Sequence, residues 1–395
     1  MGMSMRIRPF VVSLAVSPAV LVLLGSPIRL ATTPQWKGQI VEEKGVKIVR
    51  NPKEPILEDL VLNLEEELSI GHEDDANYAF SDVGGLDIDE EGNIYVLESR
   101  NRRVQIFDKN GTYLRTIGRK GQGPGEFEAA VRLFLSPAGL SVFGRGRISR
   151  FDREGRFLDT TTFRGQFVPG ALFETGKSAV AILNIEPKGS TYDVGIAAAD
   201  GSLEKTIDHF IPPRHTATLN GAPLGYFNIH VPRFLLNPLG PRAAVYGFAT
   251  VYRLKIIDAE GKTTKIILKD ETPESYTSKD KEDVLAAEAE GNKLPKADIE
   301  KVYVFPESKA LFHGLIADDR GFIYVQRTPF AKRRTDWTFD VFDSDGRFLR
   351  RIVLPAHVSP FSMKMKNGCL FTETTDDETG EIRVKRYRMT NWGST

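Results

Sequence analysis

The sequence GLDIDEEGNIYVLESRNRRVQIFDKNGTYLRTIGRKGQGPGEFEA, residues 85–129, contains four short segments in which apolar and polar residues alternate. This alternation is typical of half-buried β-strands. Asp89 and Asp108 each begin an Asp-x-x-Gly turn, in which glycine can adopt the positive φ that a tight hairpin needs. The segment therefore predicts a four-stranded antiparallel sheet. Because such a sheet cannot bury both of its faces alone, the pattern indicates further copies in the chain.

The same order of strands and turns recurs along the chain, with decreasing similarity to this copy. The predicted repeats cover residues 82–118, 130–163, 170–211, 233–269, 313–354 and 359–390. Uninterrupted neighbours are about 45 residues apart, which lies in the range of propeller blades. We therefore predict an all-β protein, a six-bladed β-propeller that forms one domain over residues 36–392.

The last predicted blade, residues 359–390, contains three strands instead of four. Residues 62–71, LNLEEELSIG, match the fourth strand of the first blade, residues 113–118. We expect residues 62–71 to supply the missing strand and so to close the ring. Closure is favoured because an open ring would leave exposed strand edges, which promote aggregation.

Residues 89–127, DEEGNIYVLESRNRRVQIFDKNGTYLRTIGRKGQGPGEF, resemble the NHL repeat. Over roughly residues 36–390 the chain is similar to bacterial six-bladed propeller proteins that carry such repeats behind an export signal. This resemblance implies a fold more than an activity. Some propellers related to NHL proteins are enzymes that hold a metal with histidines facing the channel, and others only bind partners. The sequence contains no catalytic motif of such an enzyme.

The composition limits the classes of partner. Lys plus Arg and Asp plus Glu number 53 each, and the formal net charge is zero. No global field therefore attracts nucleic acid, and we expect the short basic run 332–334 to be a solvated loop. Cys369 is the only cysteine, which excludes an intrachain disulfide and a cysteine metal cluster. We expect Cys369 to be a small buried apolar residue and the protein to be a monomer.

Residues 1–30 have the composition of an export signal or an N-terminal anchor. Arg6 and Arg8 precede a largely apolar run at residues 10–25, and a basic start before a short apolar stretch is typical of a secretory signal. The run is shorter than the ~20 residues that span a bilayer. We expect a periplasmic or extracellular protein, and the alternative is membrane anchoring by an uncleaved segment.

The predicted ring has two unlike faces. The Asp-x-x-Gly turns all lie on one face, whereas the loops between second and third strands and the linkers between blades lie on the other. We call this second face the channel mouth. Because loops on a rigid scaffold usually carry binding residues, we expect the ligand, a protein, a glycan or a small anion, to bind there.

Candidate ligand contacts are the charged and polar residues near the starts of the inner strands and in the first blade's loop. They are Asp82, Arg100, Arg103, Arg132, Arg233 and His313. A nearby glycine-rich loop, residues 121–127, follows Arg119, and such a loop beside an arginine can hold a phosphate or a carboxylate. The alternative for residues 101–103 is a structural role, in which they pack neighbouring blades.

Three histidines at the channel mouth, His230, His313 and His357, are candidate metal ligands. Three neutral imidazoles could hold a divalent metal ion. No closely spaced pair of the type H-x-H or H-E-x-x-H supports this site. A binding module is therefore the primary prediction, and a metal-dependent hydrolase or lyase acting at the same mouth is the alternative.

Two insertions interrupt the repeats. Residues 209–232 predict an extended loop, and residues 273–303 are rich in good helix formers. Thr277 and Asp280 form a capping-box pattern, and Pro295 can begin a second short helix. Both insertions connect blades on the mouth face, so they either cover the channel as a lid or extend the surface.

Overall fold

A computed structural model describes Met1 and residues 35–72, 74–163, 167–186, 189–212, 218–219, 222–223, 233–328, 336–355, 358, 362–376 and 378–392. The chain divides into two compact units, Met1–Gln35 and Trp36–Thr395. The strands and helices of the described residues lie in the second unit.

Four strands precede the first blade: β1 (Gln39–Glu43), β2 (Val46–Asn51), β3 (Leu60–Val61) and β4 (Leu64–Ile70). Blade 1 contains β5 (Gly85–Ile88), β6 (Ile94–Glu98), β7 (Arg103–Phe107) and β8 (Tyr113–Ile117). Blade 2 contains β9 (Arg132–Ser136), β10 (Gly139–Gly144), β11 (Arg147–Phe151) and β12 (Phe157–Thr162). Blade 3 contains β13 (Phe167–Leu172), β14 (Ser178–Glu186), β15 (Gly189–Ala197) and β16 (Leu203–Phe210).

A short hairpin, β17 (Thr218–Leu219) and β18 (Ala222–Pro223), follows blade 3. Blade 4 contains β19 (Phe234–Leu239), β20 (Ala243–Phe248), β21 (Arg253–Asp258) and β22 (Thr263–Lys269). The helices α1 (Ser278–Asn292) and α2 (Lys296–Val302) come next. Blade 5 contains β23 (Phe312–Ala317), β24 (Ile323–Arg327), β25 (Asp336–Phe342) and β26 (Phe348–Pro355). Blade 6 contains β27 (Lys364–Lys366), β28 (Cys369–Thr375) and β29 (Ile382–Met389).

Each blade is an antiparallel sheet whose strands pair in chain order, which confirms the predicted six-bladed propeller. The burial of the strands follows from this order. In blade 1, β6 is buried on both faces because blades lie on either side of it, whereas β8 alternates between exposed and half-buried residues at the outer edge. The turn at Asp108 has the expected geometry, since its Oδ1 accepts the N–H groups of Asn110 and Thr112, each at 2.8 Å.

The apolar core of the described residues consists of six clusters, one at each interface between neighbouring blades. The cluster that joins blade 6 to blade 1 contains Phe371 and Val384 from blade 6 and Val96 and Phe107 from blade 1. Six sheets joined by six such clusters form a closed ring.

An N-terminal strand completes blade 6, as the sequence predicts. Strand β4 pairs antiparallel with β29, with Ile70 opposite Val384 and Leu64 opposite Met389. Oppositely charged side chains accompany the pairing: Lys385 lies 2.9 Å from Glu66, Arg386 lies 3.2 Å from Glu67, and Arg388 lies 2.5 Å from Glu65. Cross-strand pairs of this kind help to specify register.

The strands before β4 form pairings that the sequence analysis did not predict. Strand β2 pairs in parallel with β22 and extends blade 4, with β1 outside it, while β3 pairs in parallel with β26 of blade 5. The N-terminal segment therefore runs along the outer edges of blades 4 and 5 before it completes blade 6.

Asn51 holds this segment against the propeller. Its Nδ2 group donates to the carbonyl oxygens of Leu268 at 3.1 Å and Gly346 at 2.9 Å. Its Oδ1 atom accepts from the Phe348 N–H at 2.7 Å and from the Trp36 indole N–H at 3.1 Å. One buried amide thus joins the N-terminal segment to blades 4 and 5.

The helical insertion has the predicted boundaries. The Thr277 hydroxyl accepts the Asp280 N–H at 3.1 Å, and the Asp280 carboxylate accepts the Thr277 N–H at 2.8 Å, which confirms the capping box. Helix α2 begins directly after Pro295. Among the described residues, no helix has both the length and the apolar character to cross a membrane.

Candidate functional site

The fold places the mouth residues at the strand ends where the linkers enter the blades. Arg132 is the first residue of β9, Arg233 immediately precedes β19, and His313 is the second residue of β23. Asp82 lies three positions before β5. These residues begin the inner strands of four different blades, as the sequence predicts. Their role in binding stays a prediction.

Asp82 and Arg100 bind the backbone of the loop and linker beside them. The Asp82 carboxylate accepts the N–H groups of Ser99 at 3.2 Å and Arg100 at 3.1 Å. The Arg100 guanidinium donates to the Ser81 carbonyl oxygen at 3.3 Å. These contacts hold the β6–β7 loop against the linker that precedes blade 1.

Arg103 belongs to a buried polar cluster. It forms an ion pair with Glu98, whose side chain has no exposed surface, and it donates to the Ala79 carbonyl oxygen at 3.2 Å. Glu98 also accepts the Ser81 N–H at 3.0 Å and the Asn101 amide at 2.7 Å. These contacts lie within blade 1 and the linker that precedes it, so the predicted packing of neighbouring blades by residues 101–103 stays a prediction.

Arg132 is a cation without an anionic partner in the part of the chain that the structure describes. Its guanidinium donates to the Pro169 carbonyl oxygen of blade 3 at 3.2 Å, and no described carboxylate lies within ion-pair distance. Burial lowers the pKa of Arg132, and burial also lowers the pKa of Arg233. An arginine nevertheless stays protonated in a protein, so the mouth retains positive charge.

His313 occupies a β-bulge. The register between β23 and β24 shifts between Phe312 and Gly314, so that His313 is the inserted residue, and it is 8% exposed. Bulges often redirect a side chain near a functional site. His230 and His357 lie outside the described residues. Within the described ranges, no group of three His, Cys, Asp or Glu residues could hold a metal ion, and the predicted metal site stays a prediction.

The structure describes only some of the other residues that the sequence analysis singled out. The basic run 332–334 and most of the loop 209–232 lie outside the described residues. Cys369 is half-buried rather than fully buried, and it packs against the cluster between blades 6 and 1. Burial raises the pKa of its thiol, so the thiol stays protonated near neutral pH.

The glycine-rich loop lines a cavity of about 240 Å³ between the linker and the outer strands of blade 2. The lining residues from the linker are Gln122, Gly123, Pro124, Glu126, Phe127, Glu128 and Ala129. Those from blade 2 are Val142, Gly144, Arg147, Ser149, Phe157 and Thr160. The sequence analysis identified the loop but not the blade 2 residues, because those residues form no distinctive motif.

Residues 77–177 match the model of the DUF5128 family, which is described as a six-bladed β-propeller. These residues extend from the linker before blade 1 through blade 2 and into blade 3. Together with the closed ring of six sheets, the match identifies the chain as a six-bladed β-propeller protein. No curated protein sequence matches the chain.

Solved structures that are similar to this chain include two proteins from Bacteroides. A Bacteroides fragilis protein inferred to be exported has 10% sequence identity and a TM-score of 0.53, with 87% of this chain and 99% of that chain covered. A DUF4221 family member from Bacteroides vulgatus has 10% identity and a TM-score of 0.48, with 83% and 98% covered. Virginiamycin B lyase from Staphylococcus aureus has 11% identity and a TM-score of 0.36, with 82% and 99% covered. At 10% identity, the likeness to the Bacteroides fragilis structure shows the fold alone.

Proposed function

We propose that this propeller is an exported binding module that holds an anionic group of its ligand at the channel mouth. Arg132 carries the proposal, because its half-buried guanidinium has a backbone carbonyl oxygen as its hydrogen-bond partner and no carboxylate among the described residues within ion-pair distance. A charge that is partly removed from water without a counter-ion is costly. A ligand carboxylate, sulfate or phosphate would supply that counter-ion and would accept bidentate hydrogen bonds from the guanidinium.

Arg233 is the second proposed contact. It begins the inner strand of blade 4, whereas Arg132 begins that of blade 2, and burial lowers the pKa of both guanidinium groups. The low-dielectric wall of a channel strengthens the attraction between such groups and an anion. Asp82 is less suited to ligand binding, since both of its oxygens accept backbone N–H groups.

Export is part of the same proposal. It rests on the basic and apolar pattern of residues 1–30. Cell fractionation of the full chain and of a variant that lacks residues 2–30 tests it. We expect the full chain outside the cytoplasm and the shortened chain inside it; a cytoplasmic full chain would contradict export.

Titration calorimetry tests the anion site, with inorganic phosphate, sulfate and succinate as probes. We expect the parent protein to bind at least one of them and Arg132→Ala to bind it at least tenfold more weakly. The control is Arg156→Ala, which removes the same charge at an exposed turn on the opposite face, where Arg156 lies 2.6 Å from Asp152. Equal binding by Arg132→Ala and the parent, or binding of none of the three anions, would overturn the proposal.

A further inference from the structure

One position recurs in the third strand of the blades. Gln105, Ser149, Lys255 and Asp340 each lie three residues before the aspartate that begins the turn, and each is paired with the second strand at the same place, opposite Val96, Val142, Tyr246 and Val325. The four side chains are therefore structural equivalents in blades 1, 2, 4 and 5.

A side chain longer than that of serine occupies this position in blades 1, 4 and 5. Gln105 is fully buried and donates to the Asn77 carbonyl oxygen at 2.9 Å. Lys255 forms an ion pair with Asp208 at 2.5 Å. Asp340 has no exposed side-chain surface and lies 2.7 Å from the ammonium group of a buried lysine. In each case the partner lies earlier in the chain than the blade itself: Asn77 in the linker before blade 1, Asp208 in β16 of blade 3, and the lysine, Lys269, in β22 of blade 4.

Blade 2 has a short side chain there instead. Among the described residues, the Ser149 side chain contacts Thr160, whose hydroxyl lies 3.2 Å from the Ser149 hydroxyl. Two positions further along the second strand, where blades 1 and 5 have Glu98 and Arg327, blade 2 has Gly144. A Cβ atom at Gly144 would lie 1.9 Å from the Ala129 carbonyl oxygen, so glycine is what allows the linker to pass. The cavity of about 240 Å³ lies where Ser149 leaves the space unfilled.

The walls of this cavity combine apolar and hydrogen-bonding surface. Phe157, Val142 and Pro124 supply apolar area, and the hydroxyls of Ser149 and Thr160 form a polar floor. A site with an apolar wall and a few fixed polar groups is typical of small-molecule binding.

Two carboxylates of the lining are held in place by arginines. Arg119 lies 2.7 Å from Glu126, and Arg145 lies 2.5 Å from Glu128. Glu126 also accepts the Gly123 N–H at 2.9 Å. These carboxylates are acceptors for hydroxyl hydrogens, and their arginine partners offset their charge. Arg147 also lines the cavity and adds hydrogen-bond donors. The lining therefore combines donors and acceptors that suit a ligand rich in hydroxyl groups.

We propose that this cavity, which we call the blade 1–2 cavity, binds one monosaccharide ring. The ring's C–H face would pack on Phe157, and its hydroxyls would bond to Ser149, Thr160 and the two carboxylates. The volume is below the ~300–1,000 Å³ of pockets that enclose drug-sized ligands, which suits one ring. The site is separate from the anion site at the channel mouth and goes beyond it.

Saturation-transfer NMR tests the proposal with glucose, galactose, mannose and N-acetylglucosamine as probes at millimolar concentration. We expect at least one sugar to bind the parent protein. Ser149→Gln places the side chain of the equivalent blade 1 position in the cavity, and we expect at least a tenfold loss of affinity. Leu158→Gln is the control, because Leu158 is exposed on the same blade and does not line the cavity.

Thr160→Gln serves as an independent second variant, because Thr160 is exposed on the outermost strand and its replacement strains the core least. Binding of none of the four sugars by the parent overturns the proposal. Undiminished binding by whichever of the two glutamine variants folds overturns it as well. Arg132→Ala should keep sugar binding, and Ser149→Gln should keep anion binding, so failure of one site is distinguishable from failure of the other.

Discussion

The ammonium group of Lys269 lies 2.7 Å from the carboxylate of Asp340, and neither side chain has any exposed surface. Lys269 is the last residue of β22, the fourth strand of blade 4, and Asp340 lies in β25, the third strand of blade 5. The Tyr252 hydroxyl donates to the same carboxylate at 2.7 Å, and the Lys269 ammonium lies 4.7 Å from the centre of the Tyr252 ring. This contact joins two blades through charge rather than through apolar packing.

We expect Lys269→Met to lower the free energy of unfolding by about 1–3 kcal/mol. Asp340 keeps Arg327 at 3.0 Å and Arg351 at 3.4 Å, but both Asp340 and Glu271 lose the buried ammonium group. The double variant Lys269→Met/Asp340→Leu should be less stable still, because Arg327 and Arg351 then lose a carboxylate as well. Urea unfolding measures both effects.

The control for this pair is Lys301→Met. Lys301 forms an ion pair with Asp298 at 3.0 Å, but its side chain is 72% exposed, so the expected loss is below about 1 kcal/mol. Equal losses of unfolding free energy in Lys269→Met and Lys301→Met would show that the buried ion pair stabilises the fold no more than the exposed one.

Acid should weaken the same region through Glu271. Burial raises the pKa of Glu271, but hydrogen bonds from Arg327 and the charge of Lys269 outweigh it and hold the pKa at about 2. Since the folded value lies below the unfolded one, the stabilisation is complete above about pH 4.5 and is lost as the pH falls toward 2. We expect Glu271→Gln to flatten the pH dependence of urea unfolding in this window; a parallel curve would contradict the assignment.

The stability of the ring should depend on the charges of β4, the strand that closes it. Glu65, Glu66 and Glu67 face the basic strand β29, so replacement of all three by lysine places like charges opposite each other. We expect a loss of roughly 2–3 kcal/mol at low salt, from pairs that each contribute up to ~1 kcal/mol.

Thermal unfolding at low and high salt measures this effect. The matched control replaces the same three residues by glutamine and should lose less stability, and high salt should reduce the difference between the two variants.

Deletion of residues 62–71 should destabilise the whole ring. A deletion variant that melts like the parent would refute closure by β4.

Asn51 should anchor the N-terminal segment. Asn51→Ala removes the acceptor of the buried Phe348 N–H and the donor to two carbonyl oxygens, and an unsatisfied buried polar group costs about 1–3 kcal/mol. We expect faster proteolysis within residues 36–58, because the segment separates more often from blades 4 and 5. Asn63→Ala, at an exposed position, is the control and should be cut at the parent's rate.

The repeat pattern could be predicted because each blade is specified by local signals. The turns at Asp89 and Asp108, the alternation in the strands and the capping box at Thr277 depend on residues a few positions apart. The closure by residues 62–71 was also predictable, since that segment matches the fourth strand of blade 1 and blade 6 lacks one.

The candidate sites were predictable only in part. The loop 121–127 was visible as a glycine-rich sequence, but Ser149 and Gly144 matter because of what they lack relative to Glu98 and Gln105. Matching Ser149 to Gln105 and Gly144 to Glu98 requires the register of the strands, because the blades differ in loop length. Asp82 looked like a ligand contact, whereas its oxygens accept backbone N–H groups of the neighbouring loop.

The sequence alone determined that the chain forms six blades and that an N-terminal strand closes them, because the alternation of residues, the turn signals and the missing strand are properties of short segments. Only the tertiary structure decided where β1, β2 and β3 pair, how Lys269 meets Asp340, and where blade 2 leaves a cavity. Backbone pairing at an outer strand edge requires no particular side chains, and buried charges and cavities depend on residues that are far apart in the chain.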